Sequence, residues 1–129
     1  MLKAIFVTCA IILRDDKVYA FQRSKNMKLP LKWEFAGGKL EPNETEIDCV
    51  KREIKEELNI EIQILKRLTP VTHEYPNFKI KLIPFVANYL TGDLVLKEHS
   101  NFILAKKEEL LDLDWAEADI PILNEFLSL

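Results

Sequence analysis

Three glutamates stand close together in the middle of the chain, at Glu53, Glu56 and Glu57. On an α-helix, which turns about 100° per residue, their side chains fall within an arc of about 100°. Like charges at this spacing destabilise a helix by a few tenths of a kcal/mol each. The cluster is therefore either a solvated acidic face, partly neutralised by Arg52 and Lys55, or a set of oxygen ligands for a hard cation such as Mg²⁺.

The residues around the glutamates predict the helix that would carry them. Thr45 is a typical N-cap residue, and the helix is expected to end at Leu58. One face of this helix is apolar and is expected to form its buried stripe, from Ile47, Val50, Ile54 and Leu58. The three glutamates then lie at the edge of the buried face rather than opposite it.

Two adjacent glycines, Gly37 and Gly38, precede this helix in a chain that has only three glycines. Glycine permits backbone conformations and close approaches that are closed to other residues. A tight turn would account for the pair, but the spacing that follows is more specific. From Gly38 the chain reads five residues, Glu44, seven residues, Arg52-Glu53-Ile54, one residue, Glu56-Glu57, two residues and Ile60.

This spacing resembles the signature of the Nudix hydrolases, which cleave nucleoside diphosphates linked to another moiety. Asn59 stands where the family usually has glycine, and asparagine is the next-best residue for a left-handed helix end. Further stretches resemble the MutT-type nucleoside triphosphate pyrophosphohydrolases, namely residues 33–39, 74–80 and 118–121. The first and the last of them also resemble the cytidine triphosphate pyrophosphohydrolase branch. The resemblance covers nearly the whole chain.

The resemblance implies a site for divalent metal ions, either Mg²⁺ or Mn²⁺. Its ligands would be the Gly37 carbonyl, Glu53, Glu56, Glu57 and, from a later loop, Glu98. Glu98 has the alternative of being an exposed loop charge. The reaction would be attack of water on a phosphorus of a polyphosphate, with Glu53 as general base and Glu98 as the alternative. Arg52 is expected to orient nearby carboxylates, and Glu44 to brace the start of the helix.

Substrate contacts are implied by the same resemblance. Arg23 and Lys39 are expected to contact phosphates, with a surface charge as the alternative for each. The aromatic candidates for stacking on a base are Phe35, Tyr75 and Phe78, of which Phe35 beside the glycines is the best placed, and a core position is the alternative for each. Asp119 falls where MutT-type enzymes read the base, although it could equally cap the last helix. An ionised aspartate only accepts hydrogen bonds, which suits the amino group of cytosine as well as the donors of guanine or oxidised guanine.

Taken together, these residues predict a nucleoside triphosphate pyrophosphohydrolase that releases a monophosphate and pyrophosphate. The preferred substrate is expected to be oxidised dGTP, so that the enzyme would cleanse the nucleotide pool. Hydrolysis of CTP or dCTP is the alternative within the enzyme class. From another class, the alternative is a nucleotide-sensing module without turnover, which the complete set Glu53, Glu56 and Glu57 argues against.

The elements that must position these residues are mostly strands. Runs of β-branched or alternating apolar residues predict strands over 4–13, 18–23, 33–35, 60–68, 78–90 and 102–105. Short helices are predicted over 106–111 and 121–127, and Pro84 predicts an edge strand or a bulge. The pattern is mixed α/β, and the resemblance refines it to a Nudix-type α/β/α sandwich with a mixed β-sheet and flanking helices, in one domain over 1–129.

Composition excludes several other classes of protein. A net charge of −3 among 129 residues argues against a nucleic-acid polymer as partner, and no apolar run is long enough to span a membrane. Two cysteines, Cys9 and Cys49, are too few for a zinc site or a disulfide framework, so a cytoplasmic location is expected. The two histidines, His73 and His99, are interpreted as polar loop residues. The sequence specifies no oligomeric state.

Overall fold

The computed structural model describes residues 3–129, and most of the elements in it are strands. The strands are β1 (Ala4–Arg14), β2 (Lys17–Gln22), β3 (Trp33–Glu34), β4 (Ala36–Lys39), β5 (Glu61–Arg67), β6 (Val71–Tyr75), β7 (Phe78–Thr91) and β8 (Asn101–Ala105). The helices are α1 (Glu46–Leu58) and α2 (Ile120–Leu127), with two 3₁₀ segments, Lys107–Asp112 and Glu117–Asp119. No helix within 3–129 is long and apolar enough to cross a membrane.

The strands form one mixed sheet around a parallel central pair. β1 runs parallel to β7, from Ala4 opposite Lys79 to Leu13 opposite Asn88. On its other side, β1 pairs antiparallel with β2 and β4, and β2 pairs in turn with β3 and β8. β5 and β6 both pair antiparallel with the outer side of β7.

The alternation of side chains along β1 divides the core into two layers. Cys9 and Ile11 pack with α2 on one face of the sheet, and Ala10 and Ile12 pack with α1 on the other. Successive residues of a strand point to opposite faces, so a strand that is apolar throughout needs a cover on both sides. The predicted α/β/α sandwich with a mixed sheet is confirmed.

Helix α1 begins and ends as its residues predict. The Thr45 hydroxyl accepts a hydrogen bond of 3.1 Å from the Asp48 N–H, as an N-cap does. At the other end Asn59 is left-handed, with φ 60° and ψ 28°, and its N–H donates to the Lys55 carbonyl at 3.0 Å. Asparagine therefore ends the helix in the manner that the family's glycine does.

The buried stripe of α1 was predicted wrongly at one position. Ile47 is 43% exposed, whereas Cys49 is fully buried. Ile47 lies in a shallow hollow beside Ile64 and Leu65 of β5, the edge strand of the sheet, where no further layer covers it. Cys49 instead faces β1, with its Sγ 3.2 Å from the Thr8 hydroxyl, and acts as the small packing residue at the start of the helix.

Pro84 does not mark an edge strand, because β7 is paired on both sides. Its carbonyl accepts a hydrogen bond of 2.9 Å from the Leu68 N–H. The backbone N and C=O of one strand residue point to the same side of the strand. The nitrogen of Pro84, which carries no hydrogen, therefore faces the gap between β5 and β6. Pairing resumes at Leu82 and Phe85, so no ladder hydrogen bond is lost.

Strand β6 was not predicted, and the predicted helix over 106–111 is a 3₁₀ segment.

Candidate active site

A cavity of about 380 Å³ opens at one end of the sheet. Val7 and Cys9 of β1 and Ile80 and Leu82 of β7 form its floor, and they pack in the same core layer as α2. The cavity wall contains nine of the eleven predicted metal, catalytic and substrate residues, which are Arg23, Phe35, Gly37, Lys39, Glu57, Tyr75, Phe78, Glu98 and Asp119. Glu53 and Glu56 lie outside this wall, on the adjoining face of α1.

Arg52 is the centre of an ion-pair network on α1. Its Nε and Nη2 donate to the two carboxylate oxygens of Glu44, at 2.6 and 2.9 Å. Its Nη1 donates to Glu53 Oε1 at 2.8 Å and to Glu56 Oε2 at 3.1 Å. The hydrogen bonds from Arg52 lower the pKa of Glu44 to about 2. Arg52 thus orients the acidic side chains around it, and Glu44 fixes Arg52.

The two adjacent glycines lie in a strand rather than in a tight turn. Gly37 and Gly38 belong to β4 and pair with Cys9 and Thr8 of β1. A Cβ at position 37 would overlap the Thr8 carbonyl oxygen, and a Cβ at position 38 would overlap the Glu53 carboxylate. Only glycine allows β1, β4 and α1 to approach this closely, and the Glu53 carboxylate rests directly against the backbone of Gly38.

Glu57 and Glu98 form the acidic end of the cavity. The Oε2 atom of Glu57 is buried and has no hydrogen-bond partner within the described residues. Burial raises the pKa of Glu57, and the negative charges of Glu98 and Glu53 raise it further. The Lys97 N–H donates to the Glu57 carbonyl at 3.3 Å, which ties the loop that carries Glu98 to the end of α1.

The chemistry of these carboxylates suits a divalent cation, although their oxygens are not arranged around one common point. Within 3–129, no group of three histidine, cysteine or acidic side chains is arranged to hold a metal ion. Glu53 and Glu56 each give one oxygen to Arg52. The buried, unpaired oxygen of Glu57 and its repulsion by Glu98 are costly without a positive partner, and Mg²⁺ takes such oxygens as ligands.

Asp119 lies in the wall of the same cavity. Its side chain makes no capping hydrogen bond to α2, so the cap alternative is wrong. Instead its Oδ1 accepts a hydrogen bond of 3.0 Å from the backbone N–H of Phe35. Burial raises the pKa of Asp119 well above its usual value, and the charge of Glu34 adds to this. Burial thus disfavours the ionised form of Asp119, which is the form considered from the sequence alone.

The three aromatic candidates differ in what they offer a planar base. Phe35 is almost fully buried, with its ring centroid 4.8 Å from that of Trp115. Phe78 is only partly buried, and its ring stacks on Tyr75 at 4.7 Å. The Tyr75 hydroxyl accepts a hydrogen bond of 3.0 Å from the Ala118 N–H, which fixes the segment leading to Asp119. Phe78 is therefore the more accessible ring.

The two basic candidates, Arg23 and Lys39, differ in their hydrogen bonding and exposure at the cavity. Arg23 is already engaged, since its Nη1 donates to Glu34 Oε1 at 2.7 Å and its Nε donates to the Lys28 carbonyl at 2.5 Å. Lys39 is exposed and lines the cavity beside the glycines. Lys28 belongs to the loop between β2 and β3, and its Nζ lies 4.5 Å from the centre of the Phe78 ring.

Sequence reasoning missed two residues of the cavity wall, Glu34 and His99. His99 is buried rather than a solvated loop residue, and its Nε2 lies 2.7 Å from Glu34 Oε2. The signal for Glu34 was an acidic residue between Trp33 and Phe35 in a short apolar strand. No sequence signal pairs it with His99, which is 65 positions away.

Comparison with known proteins agrees with this architecture. The family model of the NUDIX domain matches residues 4–126. A CTP pyrophosphohydrolase of Escherichia coli (strain K12) is 36% identical over 128 residues, covering 99% of this chain and 95% of that protein. An 8-oxo-dGTP diphosphatase of Proteus vulgaris is 31% identical over 99 residues, covering 76% of this chain and 88% of that protein.

Solved structures agree as well. The solution structure of the DNA mismatch repair protein MutT, a Nudix hydrolase from methicillin-resistant Staphylococcus aureus 252, aligns with a TM-score of 0.80 and 39% identity. The alignment covers 99% of this chain and 98% of that chain. The resemblance predicted from the spacing of Gly38, Glu44 and Glu53 is thereby confirmed. The chain belongs to the Nudix family of hydrolases.

Proposed function

We propose that this protein is a nucleoside triphosphate pyrophosphohydrolase that uses Mg²⁺ and acts on oxidised dGTP (8-oxo-dGTP). It would release the monophosphate and pyrophosphate and so remove damaged nucleotides from a cytoplasmic pool. The observation that carries this proposal is one continuous cavity whose wall contains Asp119 and Phe78 together with Glu57 and Glu98. A nucleoside triphosphate makes the same two demands on a site, since its base is planar and its triphosphate needs cations.

The acidic end supports metal-assisted chemistry on a phosphate chain. Nudix hydrolases generally need divalent cations, and we assign Mg²⁺ because every proposed ligand here is a hard oxygen; Mn²⁺ accepts the same ligands. Bound cations would neutralise charge on the phosphate oxygens and lower the pKa of the attacking water. Glu57 and Glu98, with the Gly37 carbonyl on the same wall, are the proposed ligands nearest the cavity. Glu53 and Glu56 would complete the set from α1.

The general base in this proposal is Glu53. One of its oxygens is held by Arg52 at 2.8 Å, and its carboxylate rests against Gly38 at the rim of the cavity. A carboxylate held in this way keeps a fixed direction, as removal of a proton from an attacking water requires. Glu98 is the alternative base, since it lies in the cavity wall itself. Arg23 and Lys39 would contact the phosphates.

The base end supports a substrate that offers one donor beside one acceptor. Burial shifts Asp119 towards its protonated form, and a protonated carboxyl group donates one hydrogen bond and accepts another. Oxidised guanine offers the N7 hydrogen next to the O6 oxygen, and cytosine offers its amino group next to N3. CTP or dCTP is therefore the second candidate substrate. The likeness to a CTP pyrophosphohydrolase over nearly the full length of both chains favours it specifically.

A nucleotide panel tests the proposal. Purified protein is incubated with Mg²⁺ and 8-oxo-dGTP, dGTP, CTP, dCTP or ADP-ribose, and the release of pyrophosphate and monophosphate is measured. We expect turnover of 8-oxo-dGTP far above that of the others, and none after chelation of the metal. The reverse preference for CTP would replace the main substrate with the second. Absence of pyrophosphate from every triphosphate would contradict the enzyme proposal and favour the nucleotide-sensing alternative.

The metal ligands can be tested without turnover. Mn²⁺ binding is followed by electron paramagnetic resonance in the wild type, in Glu57→Gln and in Glu61→Gln, an exposed glutamate of β5 that serves as the matched control. We expect weaker Mn²⁺ binding in Glu57→Gln, because the buried oxygen loses its charge, and wild-type binding in Glu61→Gln. Equal Mn²⁺ affinity in all three proteins would remove Glu57 from the metal site.

A further inference from the structure

His99 is a buried polar side chain. It is neither one of the proposed metal ligands nor one of the proposed contacts to the base. Its side chain is only 5% exposed, and it lies in the wall of the cavity. The ring rests against Phe21 of β2, with 5.4 Å between centroids. Its Nδ1 is buried and has no hydrogen-bond partner in the part of the chain that the structure describes. Burying a polar atom that has no hydrogen-bond partner costs free energy.

The partner of His99 is Glu34, which holds two groups at once. His99 Nε2 lies 2.7 Å from Glu34 Oε2, and Arg23 Nη1 donates to Glu34 Oε1 at 2.7 Å. Glu34 is directly opposite Phe21 in the β2–β3 ladder, so the imidazole reaches over β2 to meet it. The chain Arg23–Glu34–His99 therefore joins the end of β2, strand β3 and the loop before β8.

The same loop carries Glu98, the residue immediately before His99. Lys97 N–H donates to the Glu57 carbonyl at 3.3 Å, and Ser100 N–H donates to the Gln22 carbonyl at 3.0 Å. These backbone hydrogen bonds fix the two sides of the Glu98–His99 pair. The contact between His99 and Glu34 adds a side-chain tie within the pair, next to Glu98 in the chain.

We propose that His99 is a positioning residue that holds two groups of the proposed reaction in place. Through Glu34 it holds Arg23, a proposed phosphate contact, and through the backbone it holds Glu98, a proposed metal ligand. This inference rests on the proposed function, which assigns those two roles. Its consequence is that loss of the His99 hydrogen bond impairs turnover. A displacement of about 1 Å in a reacting group can cost about 10²-fold in rate.

A pair of substitutions separates the hydrogen bond of His99 from its packing. His99→Gln places an amide nitrogen near the position of Nε2 and retains a donor to Glu34, whereas His99→Phe keeps the ring contact with Phe21 and has no donor. We expect His99→Phe to lower kcat by about tenfold or more, and His99→Gln to keep a kcat close to that of the wild type. His73→Gln is the matched control, because His73 forms a similar 3.0 Å pair with Glu117 outside the cavity wall.

Backbone hydrogen exchange provides a second readout that needs no substrate. In the nucleotide-free protein we expect the amides of Lys97 and Ser100 to exchange faster in His99→Phe than in the wild type, and at the wild-type rate in His99→Gln. If His99→Phe does not unfold cooperatively, His99→Asn replaces it, since the shorter amide cannot reach Glu34.

The outcomes of the two readouts are distinct. Equal kcat and equal exchange in His99→Phe and the wild type, or equal impairment of His99→Phe and His99→Gln, would overturn the positioning role. A wild-type protein that turns over no triphosphate would contradict the proposed function alone. The exchange rates would then decide whether His99 fixes the loop.

Discussion

The backbone N–H of Phe35 and the carboxylate of Asp119 are joined by a hydrogen bond of 3.0 Å, although 84 positions separate them in the chain. This contact ties the strand before the glycines to the segment before α2. It explains why Asp119 does not cap α2, since its Oδ1 is already directed at β3 and β4. The base end of the cavity is thus tied directly to the sheet.

Substitution of Asp119 is expected to change base selectivity. Asp119→Asn retains an acceptor for Phe35 N–H and adds an amide donor, so it imitates the neutral acid and should keep the wild-type order of substrates. Asp119→Ala removes both groups and leaves a buried N–H unpaired, at a cost of about 1–3 kcal/mol. We expect it to narrow the difference in kcat/KM between 8-oxo-dGTP and CTP more than it slows the better one. Unchanged selectivity with a lower melting temperature would show that Asp119 serves the fold only.

Glu53→Gln is expected to abolish most of the turnover without unfolding the protein. The amide oxygen of glutamine can still accept the hydrogen bond from Arg52, and the crowded acidic face loses one charge. A general base typically contributes about 10²–10⁴-fold, so kcat should fall by that range at an unchanged melting temperature. Glu98→Gln is measured beside it, and the base is the residue whose loss costs more. A wild-type kcat in Glu53→Gln would remove it from the mechanism.

Gly38→Ala is expected to lower kcat through a local displacement and not through a general loss of stability. The added Cβ would overlap the Glu53 carboxylate and push it from its place, and a shift of about 1 Å can cost about 10²-fold in kcat. Gly92→Ala is the control, because Gly92 has φ 108° in the turn after β7, away from the cavity. Alanine there should cost about 1–3 kcal/mol of unfolding free energy and leave kcat unchanged. Comparable losses of kcat in the two variants would show that Gly38 acts through general stability.

The sequence predicted those parts of the molecule that depend on local pattern. The helix α1 follows from Thr45, its apolar stripe and Asn59, all within one short segment. The carboxylates of α1 follow from the same segment, since helical geometry alone brings Glu53, Glu56 and Glu57 together. The strand β6 was not predicted, because Thr72, His73 and Glu74 are polar and only its ends are apolar.

The pairing of Glu34 with His99 could not be predicted, because it depends on the order of strands. Both β3 and β8 lie beside β2, and only this order brings Glu34 within reach of the loop before β8. The raised pKa of Asp119 could not be predicted for the same reason. Its raised pKa comes from burial and from Glu34, neither of which is visible in the residues next to it.

Asn59 offers a test of the helix end that the family pattern highlights. At φ 60° a residue that carries a Cβ atom is strained, whereas glycine is not. We expect Asn59→Gly to leave the free energy of unfolding nearly unchanged, and Asn59→Ala to lower it by about 1 kcal/mol. Urea unfolding measures both. A more stable Asn59→Ala would show that the left-handed conformation is not retained in solution.

The ion pair between Glu44 and Arg52 is expected to make the stability of the protein depend on pH in the acidic range. The pKa of Glu44 is lowered from 4.5 to about 2 by hydrogen bonds from Arg52. Because the folded-state value lies below the unfolded one, the pair stabilises the fold fully above pH 4.5, and this stabilisation is lost as the pH falls towards 2. The wild type should therefore exceed Glu44→Gln in unfolding free energy at neutral pH, and the difference should shrink on acidification. Urea unfolding of both proteins between neutral and acidic pH measures this, with Glu61→Gln of the exposed strand edge as control. A difference that stays constant over that range would mean that Glu44 stabilises the helix start by packing rather than by charge.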